Sequence, residues 1–237
     1  TGHTGFKGSY LISFLKLFGA KITGISHKEY ENFKDIKIKS LINSKIFNLV
    51  ESKKLSRCLK KTKPNYIFHL AAQPIVYQGL KDPSTTWDSN LISTINLFKG
   101  LENIKSVKYV IIITTDKVYN NNNSNVRKKE NNFLLGSDSY SMSKVGVEKY
   151  VYYKSKTIKN FKIVTVRAGN VIGGGDWSEK RLIPDIVKSI KNNRSLKLRS
   201  YNSVRPWIHV LDCIHAYVYL ASKMKSKLIK TGSSWNV

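Results

Sequence analysis

The sequence is poor in the residues that build metal and disulfide sites. It has two cysteines, Cys58 and Cys213, and neither lies in a CxxC pair or near a histidine at zinc-binding spacing. The five histidines form no HExxH-type cluster. We therefore expect no metal site. The two unpaired cysteines indicate a reducing, cytoplasmic setting.

Long apolar runs are also missing. No stretch reaches the roughly 18 apolar residues that a membrane-spanning helix requires. No signal-peptide pattern is present either, and we expect no membrane partner.

Acidic residues are scarce relative to basic ones. The sequence has 15 Asp and Glu against 41 Lys and Arg, a formal net charge of +26. Such a charge is typical of proteins that bind nucleic acid or anionic membranes. The lysines are scattered, however, and no basic stripe with interleaved aromatic residues occurs. We interpret the charge as a composition bias over solvated faces and predict no nucleic-acid partner.

Apolar segments with strand character alternate with segments of helical periodicity. Residues 107–114 are dense in isoleucine and valine, as expected of a strand that is covered on both faces. The alternation predicts an α/β fold with a Rossmann-type, doubly wound parallel sheet. The other predicted strands are 20–25, 46–47, 66–71 and 163–167, and the predicted helices are 9–18, 87–101 and 141–154, with a loop at 120–132.

The pattern changes after Arg167, where glycines cluster at 173–175. We predict helices at 182–192 and 212–223 and a short strand at 196–199. The sequence thus predicts a dinucleotide-binding domain at 1–167 and a smaller, partial α/β substrate domain at 168–237. Both are expected to be truncated, because no first strand precedes the opening glycines and no terminal cap is evident. The piece alone is expected to be unstable, since unpaired buried backbone groups cost about 1–3 kcal/mol each.

Glycines three residues apart open the chain, at Gly2, Gly5 and Gly8. Glycine lets backbone N–H groups approach a pyrophosphate, and the dipole of a following helix attracts that anion. Thr4 and Phe6 lie in the same turn. Spaced glycines are not specific by themselves, but before a helix in a parallel α/β pattern they indicate a dinucleotide site.

The second strand of such a site usually ends in an acid that binds the ribose. Here it ends in Ser26, and Lys28 follows two residues later. The Ser26 hydroxyl could bond a ribose hydroxyl, whereas Lys28 is compatible with a phosphorylated ribose. This position therefore leaves the choice between NAD and NADP open.

Tyr140 and Lys144 are four residues apart, so on a helix they share one face. A lysine cation beside a phenol favours the phenolate, which can take a proton from a carbinol as hydride leaves. An incidental pair on a surface helix is the alternative. The preceding segment of Thr115, Asp116 and Lys117 favours redox chemistry, because open α/β sheets bind ligands at the carboxyl ends of their strands.

Several motifs, taken in order, resemble the extended short-chain dehydrogenase/reductase superfamily. They are the three glycines, HLAAQ at 69–73, Asn90, Thr115, Tyr140 and Lys144. Three further motifs, RAGNVIGGGDW at 167–177, RLIPD at 181–185 and VRPWIHV at 204–210, resemble the nucleotide-sugar 4,6-dehydratases that act on CDP-sugars. Lys117 stands where the dTDP-sugar branch carries a glutamate.

The resemblance implies NAD as the cofactor, CDP-glucose as the substrate, and a homodimer that uses the helices at 87–101 and 141–154. The residues implied in cofactor binding are Gly2, Thr4, Gly5, Phe6, Gly8, Ser26, Asn48, Leu49, Ala71, Ala72, Gln73, Asn90, Tyr140 and Lys144. Those implied in substrate binding are Asn170, Arg181, Leu182, Arg205 and His209.

The resemblance also implies an internal redox cycle. NAD takes hydride from C4 as Tyr140, assisted by Thr115, removes the hydroxyl proton. Lys117 then removes the C5 proton, Asp116 assists loss of the C6 hydroxyl as water, and hydride returns to C6 to give CDP-4-dehydro-6-deoxy-glucose. Asp116 could instead cap the strand end, and Lys117 could be a phosphate or surface contact.

Two other classes of function are compatible with the sequence. The first is another nucleotide-sugar enzyme of the superfamily, a different 4,6-dehydratase or a 4-epimerase. An epimerase would need Thr115, Tyr140 and Lys144 but not Asp116 and Lys117. The second is a non-catalytic module that binds a dinucleotide or nucleic acid.

Overall fold

The structure of the chain, a computed structural model, describes residues 1–30, 33, 37–120, 126–196, 198 and 201–237. Parallel strands alternate with helices in this part of the chain. The strands are β1 (Thr23–Ser26), β2 (Asn43–Ile46), β3 (Tyr66–His69), β4 (Tyr109–Thr115), β5 (Lys162–Ala168), β6 (Asn170–Ile172), β7 (Trp207–His209) and β8 (Ser233–Asn236).

Helices lie between most of these strands along the chain. They are α1 (Phe6–Leu17), α2 (Ser52–Thr62), α3 (Val76–Lys81), α4 (Pro83–Trp87), α5 (Ser93–Leu101), α6 (Ser139–Thr157), α7 (Leu182–Lys191) and α8 (Val210–Lys223). A π-helical segment at Asp88–Ile92 joins α4 to α5, and short 3₁₀ turns lie at Lys37–Leu41 and Asp116–Val118.

The main sheet is parallel and has the order β3-β4-β5-β8, while β1 pairs with β2 in a second parallel sheet. Thr1 and Gly2 lie between the two sheets. The Gly2 N–H donates to the Ile25 carbonyl at 2.7 Å, and the Thr1 carbonyl accepts from the Leu70 N–H at 3.2 Å. These two residues therefore connect the glycine-rich turn to both sheets.

Helices cover both faces of the main sheet, so alternate residues of its strands enter different cores. Val110, Ile112 and Ile163 pack in one cluster with residues of α2, α5 and α6. Ile111, Ile113 and Val166, with others, pack on the opposite face against α1 and α8. Burial on both faces explains the unbroken Ile/Val run of β4. The predicted α/β class with a doubly wound parallel sheet is confirmed.

The part of the chain after residue 167 contributes a strand to the main sheet and packs against it. β8 pairs with β5, and Ile214 and Tyr217 of α8 lie in the same buried cluster as Val164. β6 and β7 form a separate two-stranded parallel sheet. The division into domains at 1–167 and 168–237 stays a prediction.

The predicted strand at 196–199 is wrong where the structure describes it. Leu196 and Leu198 belong to no strand, and positions 197 and 199 lie outside the described residues. The local strand is β7, which pairs with β6 in the register Asn170 to Trp207. An alternating run of four residues cannot specify its partner, and the pairing decides where a strand forms.

The predicted loop at 120–132 lies partly outside the described residues, at positions 121–125, and positions 126–132 form neither helix nor strand. None of the described helices is long and apolar enough to cross a membrane.

Candidate active site

The carboxyl end of β4 carries the predicted catalytic segment. Thr115 is the last residue of the strand, and its hydroxyl accepts a hydrogen bond from the Lys117 N–H at 3.3 Å, which starts the 3₁₀ turn. The same hydroxyl donates to Asp116 Oδ1 at 3.1 Å. Thr115 is buried, whereas Asp116 and Lys117 are half-buried at the edge of the site.

The amino end of α6 brings Tyr140 to the same edge. Asp138 caps the helix by accepting from the Ser141 N–H at 3.0 Å, and the Ser141 hydroxyl accepts from the Asp138 N–H at 3.0 Å. This reciprocal cap places Tyr140 in the first turn and Lys144 one turn further on the same face. The helix therefore begins at Ser139, two residues before the predicted start.

Tyr140 is a buried phenol in hydrogen-bonding contact with Thr115. Burial raises the pKa of Tyr140 to about 12, and the hydrogen bond with Thr115, followed by the Arg181 cation, opposes that rise. Asp116 also raises the pKa of Tyr140. Three residues that the sequence predicted in catalysis thus lie within electrostatic reach of one another.

Lys144 is buried under the strand end. Its ammonium donates to the carbonyl of Ile113 at 3.1 Å, which holds the side chain along β4. Burial, and then the nearby Lys7 cation, lower the pKa of Lys144 to about 7, although Glu148 opposes both effects. The cationic form is therefore lost as the pH rises through about 7, and added acidic charge nearby would preserve it.

Three groups at this site were not predicted from the sequence, Lys7, Cys213 and Tyr217. The Lys7 ammonium donates to the Tyr217 hydroxyl at 3.3 Å, across the packed helices α1 and α8. Burial lowers the pKa of Lys7 and raises the pKa of Cys213 and, by a larger amount, that of Tyr217. The one sequence feature that could have pointed to any of them is the position of Lys7 within the glycine-rich turn, between Gly5 and Gly8.

The glycine-rich turn is built for close backbone approach. Gly2 has a φ of +73°, and a Cβ on it would lie 2.6 Å from the Ala71 nitrogen. A Cβ on Gly8 would lie 2.0 Å from the Gly2 carbonyl oxygen. Gly5 precedes α1, and that amino end has neither a side-chain cap nor an acidic residue in its first turn. Free N–H groups at a helix start suit the pyrophosphate of a dinucleotide.

Replacing Gly8 by alanine is expected to lower the free energy of unfolding by about 1–3 kcal/mol, because the new methyl group overlaps backbone that has no room to move. Urea denaturation followed by circular dichroism measures this. Gly5→Ala is the matched control, since its Cβ would lie 3.4 Å from the same Gly2 oxygen. An equal loss of stability in both variants would contradict the geometry.

Ser26 and Thr4 hold this turn against β1. The Ser26 hydroxyl accepts from the Thr4 N–H at 3.2 Å and contacts His3 Nδ1 at 3.0 Å, and the Thr4 hydroxyl donates to the Lys28 carbonyl at 2.7 Å. Burial lowers the pKa of His3 to about 4, so the ring is neutral. Ser26 is thus engaged inside the protein, and its predicted ribose contact stays a prediction.

Asn90 connects the 71–73 segment to the catalytic helix. Its side chain accepts from the Gln73 N–H at 2.8 Å and donates to the Gln73 carbonyl at 3.2 Å and to the Ser143 hydroxyl at 2.8 Å. Ala71 and Ala72 lie on the same segment, partly buried. The structure therefore brings these predicted cofactor residues next to α6.

Asn48 and Leu49 have local structural roles. Asn48 accepts from the Val50 N–H at 3.1 Å, and Leu49 is buried in the core beneath β3 and β4. Both stay predictions as cofactor contacts.

The predicted substrate residues divide into two groups. Arg181 pairs with Asp176 at 2.8 Å and lies within electrostatic reach of Tyr140 and Lys7, so it faces the site. Arg205 and Leu182 are exposed, and His209 caps α8 by accepting from the Leu211 N–H at 3.3 Å. The Asn170 N–H is bonded to the Pro206 carbonyl at 2.8 Å. Their substrate contacts stay predictions.

No three His, Cys, Asp or Glu side chains among the described residues are placed to hold a metal ion.

Comparison with known proteins assigns the chain to a family. The model of the NAD dependent epimerase/dehydratase family matches residues 1–237. The chain belongs to this family. The predicted superfamily and the predicted dependence on NAD are thereby confirmed.

Individual relatives include 4,6-dehydratases and 4-epimerases. The chain is 35% identical to the CDP-glucose 4,6-dehydratase of Salmonella typhimurium over 247 positions, which cover 100% of this chain and 69% of that protein. It is 25% identical to the UDP-glucose 4-epimerase of Mycoplasma pneumoniae over 193 positions, which cover 75% of this chain and 56% of that one. The fold matches the dTDP-glucose 4,6-dehydratase of Bacillus anthracis, solved with NAD, with a TM-score of 0.84 at 22% identity, over 100% of this chain and 73% of that one.

Proposed function

We propose that this protein dehydrates CDP-glucose to CDP-4-dehydro-6-deoxy-glucose, as an NAD-dependent nucleotide-sugar 4,6-dehydratase in deoxysugar synthesis. The observation that carries the proposal is the contact between two groups of residues. Thr115, Asp116 and Lys117 occupy one turn, and the Tyr140 phenol hydrogen-bonds to Thr115 at its edge. The 35% identity to a CDP-glucose 4,6-dehydratase supports it.

The first step needs a proton acceptor at the C4 hydroxyl. Bound NAD would accept hydride from C4 and return it to C6. Tyr140, buried and bonded to Thr115, would take the hydroxyl proton, and the Lys144 cation would favour the phenolate form. Gly2, Gly5 and Gly8 would hold the cofactor's pyrophosphate at the start of α1.

The elimination needs an acid at the C6 hydroxyl and a base at C5. Asp116 would give its proton to the departing hydroxyl, while Lys117, in its neutral form, would remove the C5 proton that the C4 ketone has acidified. The Lys117 ammonium would give a proton back to C5 when hydride adds at C6. Both side chains are half-buried on the turn that follows β4. Arg181, beside Asp176 and near Tyr140, would bind the diphosphate, because a guanidinium can bond two oxygens at once.

A 4-epimerase is the second candidate, favoured by the similarity to UDP-glucose 4-epimerases. Membership of a family of enzymes disfavours a non-catalytic module. The proposed homodimer would use exposed apolar side chains on the helical segments 88–101 and 139–157, where Ile92, Tyr152 and Tyr153 are exposed.

Incubation of the purified enzyme and NAD with CDP-, dTDP-, UDP- and GDP-glucose tests the proposal. We expect loss of one water from CDP-glucose, read by product mass, and a 4-keto product that absorbs in alkali. Water loss only from another nucleotide sugar would reassign the substrate. Turnover of CDP-glucose without a change of mass would instead establish the epimerase.

A further inference from the structure

A buried ion pair lies behind the catalytic residues. Arg167 Nε donates to Glu148 Oε1 at 2.9 Å and Nη2 to Oε2 at 3.0 Å, so the contact is bidentate. Each side chain is 3% exposed. Replacing such a pair by apolar residues is often neutral or stabilising, because removing two charges from water is costly. Stability alone therefore does not account for it.

The Glu148 carboxylate joins three strands. The Thr114 hydroxyl donates to Oε1 at 2.6 Å, and the Thr165 and Ser234 hydroxyls donate to Oε2 at 2.8 and 3.2 Å. These residues lie on β4, β5 and β8. Thr114 directly precedes Thr115, so the carboxylate fixes the strand end from which the catalytic turn starts.

Arg167 holds the other end of that turn. Its Nη1 donates to the Tyr119 hydroxyl at 2.8 Å and to the Glu130 carbonyl at 2.9 Å, and the Tyr119 hydroxyl donates to Asn236 Oδ1 at 2.6 Å. Tyr119 is the residue that follows the turn Asp116–Val118. The ion pair thus contacts residues on both sides of Asp116 and Lys117.

Glu148 also interacts electrostatically with Lys144, which lies one turn earlier on α6. Within the described part of the chain, the ionisable groups that interact electrostatically with Lys144 are Lys7 from α1, His69 from β3 and Glu148 from its own helix. Burial holds the pKa of His69 well below its ordinary value, so that ring is neutral. Glu148 is the one among them whose charge favours the lysine cation.

We propose that Glu148 and Arg167 are positioning residues for the reaction: together they fix the Thr115–Lys117 turn against Tyr140, and Glu148 favours the cationic form of Lys144. The proposal rests on the proposed function for its kinetic consequences. Its electrostatic part concerns Lys144 alone and can be measured without substrate.

Glu148→Gln separates these two effects from a purely structural role. Glutamine keeps a hydrogen-bond acceptor but removes the charge, so the pKa of Lys144 is expected to fall by about 1 unit. The NMR titration of enzyme labelled with ¹³C at lysine Cε, with and without NAD, measures it, and Lys144→Met assigns the resonance. Because the cation is the active form, the basic limb of the kcat profile should move to lower pH by the same amount.

Tyr119→Phe tests positioning without a change of charge. It removes the hydroxyl that joins Arg167 to Asn236, so kcat is expected to fall about tenfold through misplacement of the turn, with the pKa of Lys144 unchanged. Glu102→Gln is the control for charge removal, since Glu102 pairs with Lys154 at 3.2 Å on the surface and is 53% exposed. It should alter neither quantity.

An unchanged pKa of Lys144 in folded Glu148→Gln would overturn the electrostatic role, and an unchanged kcat in Tyr119→Phe would overturn the positioning role. If Glu148→Gln fails to fold, the double variant Glu148→Gln/Arg167→Gln leaves no uncompensated buried charge and carries the same titration. Failure of the proposed function would appear differently, as absent turnover of CDP-glucose in the unaltered enzyme with the titration shift intact.

Discussion

Replacing Tyr140 by phenylalanine is expected to lower kcat on CDP-glucose by about 10²- to 10⁴-fold, the usual contribution of a positioned acid–base group. The phenol is buried and hydrogen-bonded to Thr115, and it lies one turn before Lys144 on the same helix. Among the described residues, no other hydroxyl combines these two positions. Removing one oxygen leaves the ring to fill its place, so the fold and the affinity for NAD should change little.

Stopped-assay product analysis, together with a fluorescence titration of NAD, measures both quantities for Tyr140→Phe. Tyr153→Phe is the matched control, because Tyr153 lies on the same helix and is 62% exposed. Activity of Tyr140→Phe within a few-fold of the unaltered enzyme, with normal NAD binding, would rule out this phenol as the C4 base.

Asp116→Asn is expected to stop the cycle between oxidation and elimination. Asparagine can still accept the hydrogen bond that the Thr115 hydroxyl makes at 3.1 Å, but it has no acidic proton for the departing C6 hydroxyl. Dehydrated product should therefore form about 10²- to 10⁴-fold more slowly. Oxidation at C4 depends on Tyr140 and should continue, so the bound cofactor should remain reduced.

Cofactor absorbance in a single turnover and the mass of the product give the two readings for Asp116→Asn. Asp88→Asn serves as the control, since Asp88 is an exposed acid on the π-helical segment before α5. Water loss at the normal rate in Asp116→Asn would show that Asp116 only caps the strand end.

Lys117→Met tests the base of the elimination. Loss of the C5 base should abolish exchange of the C5 hydrogen with deuterated solvent.

The elements that could be predicted from the sequence are those with a strong local pattern. The Ile/Val run of β4 and the amphipathic segment that became α8 are examples. Both ends of β4 and the start of α8 are displaced by one or two residues, and α8 ends at Lys223 as predicted. α2, β6 and β8 were missed. β6 has three residues and β8 has four, too few for a period to appear, and each forms because a neighbouring strand offers its backbone.

Within the site, the sequence predicted the groups that its motifs contain and missed those that only packing brings in. Tyr140 and Lys144 share a helix face by their spacing alone. Lys7 and Tyr217, by contrast, are separated by 210 positions and meet because α1 and α8 pack on one face of the sheet. No local pattern can encode such a contact.

The sequence by itself determined the α/β class, the glycine-rich turn, and the order of Thr115, Tyr140 and Lys144, because each depends on a short-range pattern of residue types. Only the tertiary structure decided the environment of these groups. Burial and the nearness of Lys7 and Glu148 set the pKa of Lys144 at about 7, and the Glu148–Arg167 pair reached the catalytic turn from distant strands. Electric fields and desolvation act through space, so they depend on contacts that exist only after the chain has folded.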